Sequence, residues 1–134
     1  MNAKTIFISL AAAFILLTGQ YAGAGETPAP KSTPELKQAI GSGKKTVVFF
    51  LNPGGRPCQN QKAILLKLQQ DMKDSFNIAY IDANKAEDQK AFYDYGVRGL
   101  PSVAVVDGKG NIGKLFPPGI QTYETLMQTL NSTK

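Results

Sequence analysis

Histidine and tryptophan are absent from this 134-residue chain, and cysteine occurs once. A single thiol excludes an internal disulfide, and without histidine the usual base of a Cys-His nucleophile is missing. A zinc site built from nitrogen and sulfur ligands cannot be assembled within one such chain. No dense carboxylate loop suggests calcium. Neither a metal nor any other cofactor is therefore expected. Charge is thin as well: 15 Lys and Arg against 10 Asp and Glu give a net +5. The basic residues are scattered rather than clustered, which argues for a solvated surface and against nucleic acid as a partner.

Residues 5–18 form an apolar stretch behind Lys4, and Ala22-Gly23-Ala24 supplies a small-x-small cleavage site. A membrane span needs about 20 apolar residues, and Gly19, Gly23 and Gly25 interrupt the continuation. The expectation is a secretory leader over 1–24, an extended lead-in over 25–32 with Pro28 and Pro30, and one domain over 33–134. The cleavage site carries no cysteine for a lipid, so no stable membrane anchor is expected after cleavage. The remaining chain of about 110 residues suffices for one modest domain. It is expected in the periplasm or outside the cell, where disulfides persist. A lone thiol there is free, buried, or bonded to another molecule.

Periodicity gives an alternating order of elements. Thr33-Pro34-Glu35 supplies a cap, a first-position proline and a first-turn acid for a helix ended by Gly41-Ser42-Gly43. Thr46 to Leu51 is a continuous β-rich run, as in a strand covered on both faces. A helix is expected from about Pro57 to Asp74, with Ile64, Leu65, Leu68 and Met72 inward and Gln59, Gln61 and Lys62 largely elsewhere. A strand over 77–82, a helix over 86–95 closed by Gly96, a hairpin of strands over 102–107 and 112–116, and a helix capped by Thr122 complete the chain. Tyr80, Phe92, Tyr93, Tyr95 and Phe116 read as core and rim aromatics.

The chemistry concentrates in Asn52-Pro53-Gly54-Gly55-Arg56-Pro57-Cys58, which joins the first strand to the long helix. A cysteine at a helix start meets the positive end of the backbone dipole, which favours thiolate and hence nucleophilic chemistry. The two glycines let another backbone approach closely. Cys58 is either a redox-active thiol or a small buried hydrophobe, and the residues alone leave both open.

The order of elements, this loop, and Tyr95-Gly96-Val97-Arg98-Gly99-Leu100-Pro101-Ser102 resemble the thioredoxin family over roughly residues 33–131. The resemblance implies a three-layer α/β/α fold, a βαβ unit followed by a β-hairpin and a C-terminal helix, with Pro101 in the place of the family's cis-proline. It also places Gly55 where the family has its attacking cysteine and Cys58 where it has the resolving one. Phe49 stands in place of the buried carboxylate, and Ile78 in place of its lysine. A dithiol enzyme attacks with one thiolate and resolves with the other, so Cys58 alone supports at most monothiol exchange. The expected contact surface is Cys58 with Gly54, Gly55, Arg56, Pro57, Gly99, Leu100 and Pro101. Its expected partner is a cysteine-containing protein or small thiol, with the chain a monomer or a Cys58-linked dimer. The alternative is a noncatalytic module that holds an extended peptide beside Pro101.

Overall fold

The computed structural model describes residues 26–134, so the leader expected over 1–24 lies outside the described residues. The elements run α1 (Pro34–Ile40), β1 (Lys45–Leu51), α2 (Arg56–Asp71), β2 (Phe76–Asp82), a 3-10 turn at Ala86–Asp88, α3 (Gln89–Asp94), β3 (Ser102–Val106), β4 (Ile112–Leu115) and α4 (Tyr123–Ser132). The strands form one sheet in the order β2-β1-β3-β4. β1 and β2 are parallel, as a βαβ crossover requires. The β1–β3 and β3–β4 pairs are antiparallel.

Alternation along β1 makes the layers. Val48 and Phe50 point to one face, where they pack with Leu36 and Ile40 of α1 and Ala91 of α3. Val47, Phe49 and Leu51 point to the other, against Cys58, Leu65 and Leu68 of α2 and Leu126 and Leu130 of α4. Helices thus cover both faces of the central strand, and all six residues of Thr46–Leu51 are buried.

The caps form as expected. Thr33 Oγ1 accepts from the Leu36 N–H at 3.1 Å, Thr122 Oγ1 accepts from Thr125 N–H at 3.2 Å, and Gly96 closes α3 at φ +65°. The end of α2 differs: it stops at Asp71, three residues before the expected Asp74, and Lys73 and Asp74 turn the chain at φ 54° and 57°. With no glycine or proline at this point, the sequence carries no stop signal. Tyr93 also departs from expectation, being 85% exposed and outside both cores.

The lead-in lies against the domain. Ile112 N–H donates to Thr27 O, Ala29 N–H donates to Gly110 O, and the Tyr95 hydroxyl donates to Pro30 O at 2.7 Å. Burial, and secondarily the charge of Asp94, holds the Tyr95 phenol well above the usual tyrosine range. Above pH about 10 the unfolded chain releases this proton while the native chain keeps it, so stability is full below that pH and declines as pH rises. Tyr95→Phe should cost about 1 kcal/mol at neutral pH by loss of the hydrogen bond and should flatten the alkaline decline. Denaturant titrations between pH 8 and 11 read both effects. An unchanged alkaline slope would assign the decline to other groups.

Candidate functional site

The loop after β1 is organised by Asn52. Its carbonyl accepts from Gly55 N–H at 2.9 Å, and its side-chain Oδ1 accepts from Gly54 N–H at 3.2 Å. Its own N–H donates to Cys58 Sγ at 3.4 Å. Asn-Pro-Gly-Gly is a strong turn signal, but the share of this hub that runs through the Asn52 backbone N–H and C=O is not written in its side chain. Gly55 is the N-cap of α2, at φ −82° and ψ 130° with no capping side chain, and Arg56, Pro57 and Cys58 follow in the first turn.

Cys58 is 3% exposed, packed in the core shared with Phe49, Leu51 and Val103. Gly54, Arg56 and Pro57 are exposed, and Gly55 is half-buried. The surface of this loop is therefore glycine, arginine and proline, with the sulfur beneath it. A Cβ built on Gly55 would lie 3.8 Å from Cys58 Sγ, so a side chain at this position would face the sulfur. Phe49 is fully buried on the same side of β1, and no carboxylate occupies that position.

The Leu100–Pro101 bond is cis. Phe50 pairs with Ser102, so Pro101 lies at the end of β1 from which the Asn52–Gly55 loop departs. Pro101 is buried, while Leu100 is 36% exposed. Pro101 O accepts from Gly119 N–H at 2.9 Å, whereas neither the N–H nor the C=O of Leu100 makes a hydrogen bond among the described residues. Gly99 lies against Pro118 so closely that an added Cβ would come within 2.9 Å of the Pro118 ring. Arg98 is exposed and forms no ion pair with Asp82; the ion pair found among the described residues is Lys90–Asp94.

A residue assigned to the solvent side of α2 proves central. Gln61 is fully buried, its Oε1 accepting from Gln121 N–H at 2.6 Å and its Nε2 donating to Gln121 O at 3.2 Å. Cys58, Gln61, Leu65 and Leu68 form the buried stripe of α2. Counting by three and four from Cys58, rather than by polarity, would have found it. Gln61 ties α2 to the 117–122 loop, and that loop holds Pro101 through Gly119. Among the described residues no cluster of three or more His, Cys, Asp or Glu could hold a metal.

A sequence profile described as a Thioredoxin-like domain matches residues 33–134. The chain is similar to the chloroplastic thioredoxin-like protein HCF164 of Oryza sativa subsp. japonica, 29% identical over 83 residues, covering 62% of this chain and 31% of that protein. It is also similar to the Arabidopsis thaliana protein of the same name, 28% identical over 75 residues, covering 56% and 29%. It thus spans under a third of the length of these curated relatives. Among solved structures, a thiol:disulfide interchange protein of the thioredoxin family from Chlorobium tepidum TLS superposes with a TM-score of 0.63 at 16% identity, covering 81% of this chain and 96% of that one. Fasciola hepatica thioredoxin superposes with a TM-score of 0.61 at 19% identity, covering 77% and 96%. At such identities the likeness shows the fold.

Proposed function

From the premise that this chain belongs to the thioredoxin-like family, we propose that it works as a noncatalytic binding module, holding an extended segment of another protein along Leu100-Pro101. The observation that carries this reading is the pairing of a buried sulfur with an open backbone: Cys58 is 3% exposed, while the Leu100 N–H and C=O are unpaired among the described residues. An extended chain beside Leu100 gains β-type hydrogen bonds from those groups without any covalent step. Gly54 and Gly55 keep that approach free of side chains. The apolar N-terminal stretch and the small residues before Gly25 support action in the periplasm or outside the cell.

The hydrogen bond from Asn52 N–H to Sγ favours a second reading, since it fixes the sulfur at the start of α2 beneath the Gly54-Gly55 turn. In it, Cys58 thiolate attacks a partner disulfide, forming a mixed disulfide and releasing the partner's other sulfur as thiolate. An external small thiolate then attacks the partner's sulfur of the mixed disulfide, forming a disulfide between partner and small thiol and releasing Cys58 as thiolate.

The test uses an unfolded protein whose cysteines are blocked with iodoacetamide. The binding module retains it, and Cys58→Ser retains it equally. Native Cys58 should also react with iodoacetamide on the order of a hundredfold more slowly than an accessible thiol, and the chain should not turn over insulin disulfides. Binding that needs both Cys58 and a partner disulfide would replace the first reading by the second.

A further inference from the structure

The loop that carries Leu100 also forms one wall of a cavity. On the α3 side of the sheet a pocket of about 370 Å³ opens above Phe50 and Ala104, between residues 95–98 and 115–118. Val97, Leu115, Phe116, Pro117 and Pro118 make its sides. That volume falls within the range of ligand pockets and admits an aromatic or large aliphatic group. Leu115 is 50% exposed and Leu100 36%, and Gly99, next to Leu100, lies against Pro118 of the pocket wall.

The polar lining groups decide what else enters. Tyr95, Arg98 and Ser102 are the lining residues with polar side chains. The Tyr95 hydroxyl donates to Pro30 O, and Ser102 Oγ donates to Gly99 O at 2.6 Å. Arg98 alone is uncommitted: it is exposed and has neither a hydrogen bond nor an ion pair among the described residues. No acid lines the pocket. A guanidinium at an apolar mouth favours a carboxylate beside the apolar group.

We infer that this pocket sets the specificity of the groove, accepting a bulky apolar side chain of the bound segment while Arg98 takes a neighbouring carboxylate. The inference rests on the binding-module reading, and names its partner as an extended segment with an acidic residue next to an aromatic or large aliphatic one. A protein segment fits better than a small molecule because Arg98 stands two residues from Leu100. One extended chain can therefore bond to the Leu100 backbone and still reach the pocket.

The probes are fluorescent ten-residue peptides without cysteine, centred on phenylalanine flanked by two glutamates, and versions with glutamine flanks, lysine flanks, or glycine at the centre. Anisotropy with the full chain should show about tenfold weaker binding with glutamine flanks, weaker still with lysine, and at least tenfold weaker binding with the central glycine. Arg98→Glu should reverse the order of glutamate and lysine flanks, and amide shifts should move at Val97 and Leu115. Leu115→Gln should weaken every phenylalanine peptide without changing the flank order. Equal binding of all the peptides, an unchanged order in Arg98→Glu, or shifts located elsewhere would overturn the inference. If the glutamate peptide fails while the blocked unfolded protein binds, the pocket inference falls and the groove stands. If neither binds, both fall.

Discussion

Gly55→Cys is expected to give this chain disulfide-reducing turnover well above that of the native chain. Cysteine at 55 is sterically admissible because Gly55 already sits at φ −82° and ψ 130°, within the region any residue adopts. Its Cβ would lie 3.8 Å from Cys58 Sγ and 3.3 Å from Asn52 O, so the loop must yield by a few tenths of an ångström and then presents two sulfurs to each other. Oxidation should consume both thiols within one chain, which thiol titration and mass spectrometry detect. Turnover of insulin disulfides with a dithiol reductant should nonetheless remain on the order of a hundredfold below that of a two-cysteine thioredoxin. General acid-base assistance contributes factors of about 10² to 10⁴, and the fully buried Phe49 supplies none. Equal turnover by the native chain would show that a second thiol is not needed and would remove the basis for reading Cys58 as buried packing.

The fold was legible where local chemistry and burial agree. The unbroken apolar run of β1 implies cover on both faces, and Val48 and Phe50 do meet α1 and α3 while Val47 and Phe49 meet α2 and α4. Thr33 and Thr122 cap because a short hydroxyl before a helix has one good partner, a first-turn N–H. The cis bond at Leu100-Pro101 was likewise readable from the motif around it, since it depends on position along the chain. Three things were not. Gln61 was placed outside by its polarity, but a buried amide is tolerable when a loop 60 residues away satisfies both its ends. Asn52 organises the Cys58 loop through its backbone as well as its side chain, and side-chain pattern does not record that. The pocket beside Arg98 exists only because residues 95–98 and 115–118 approach across the sheet edge, which no local window contains.

Gln61→Leu should be among the most destabilising single substitutions outside the apolar core. Leucine fills much of the same space but leaves the Gln121 N–H and C=O without the partners that now lie at 2.6 and 3.2 Å. Each unpaired group carries a desolvation cost of roughly 1–3 kcal/mol, so about 2–6 kcal/mol is expected for the pair, toward the lower end because Gln121 is only half-buried. The damage should extend to the proposed groove, because the same loop holds Pro101 O through Gly119 N–H. Retention of the blocked unfolded protein should weaken even at temperatures where the variant stays folded. Gln61→Glu separates this account from simple packing. Its ionised carboxylate can accept from Gln121 N–H but opposes Gln121 O, whereas the protonated form can donate to that oxygen. Burial raises the folded pKa of such a carboxyl above its unfolded value. The stability of Gln61→Glu relative to the native chain should therefore be greatest at acid pH and decline as pH rises through the folded pKa. Urea titrations of the native chain and both variants at pH 4 and pH 7 measure this directly. A loss under about 0.5 kcal/mol for Gln61→Leu, the range of ordinary surface changes, or no pH dependence for Gln61→Glu, would mean that the 117–122 loop holds its place without Gln61.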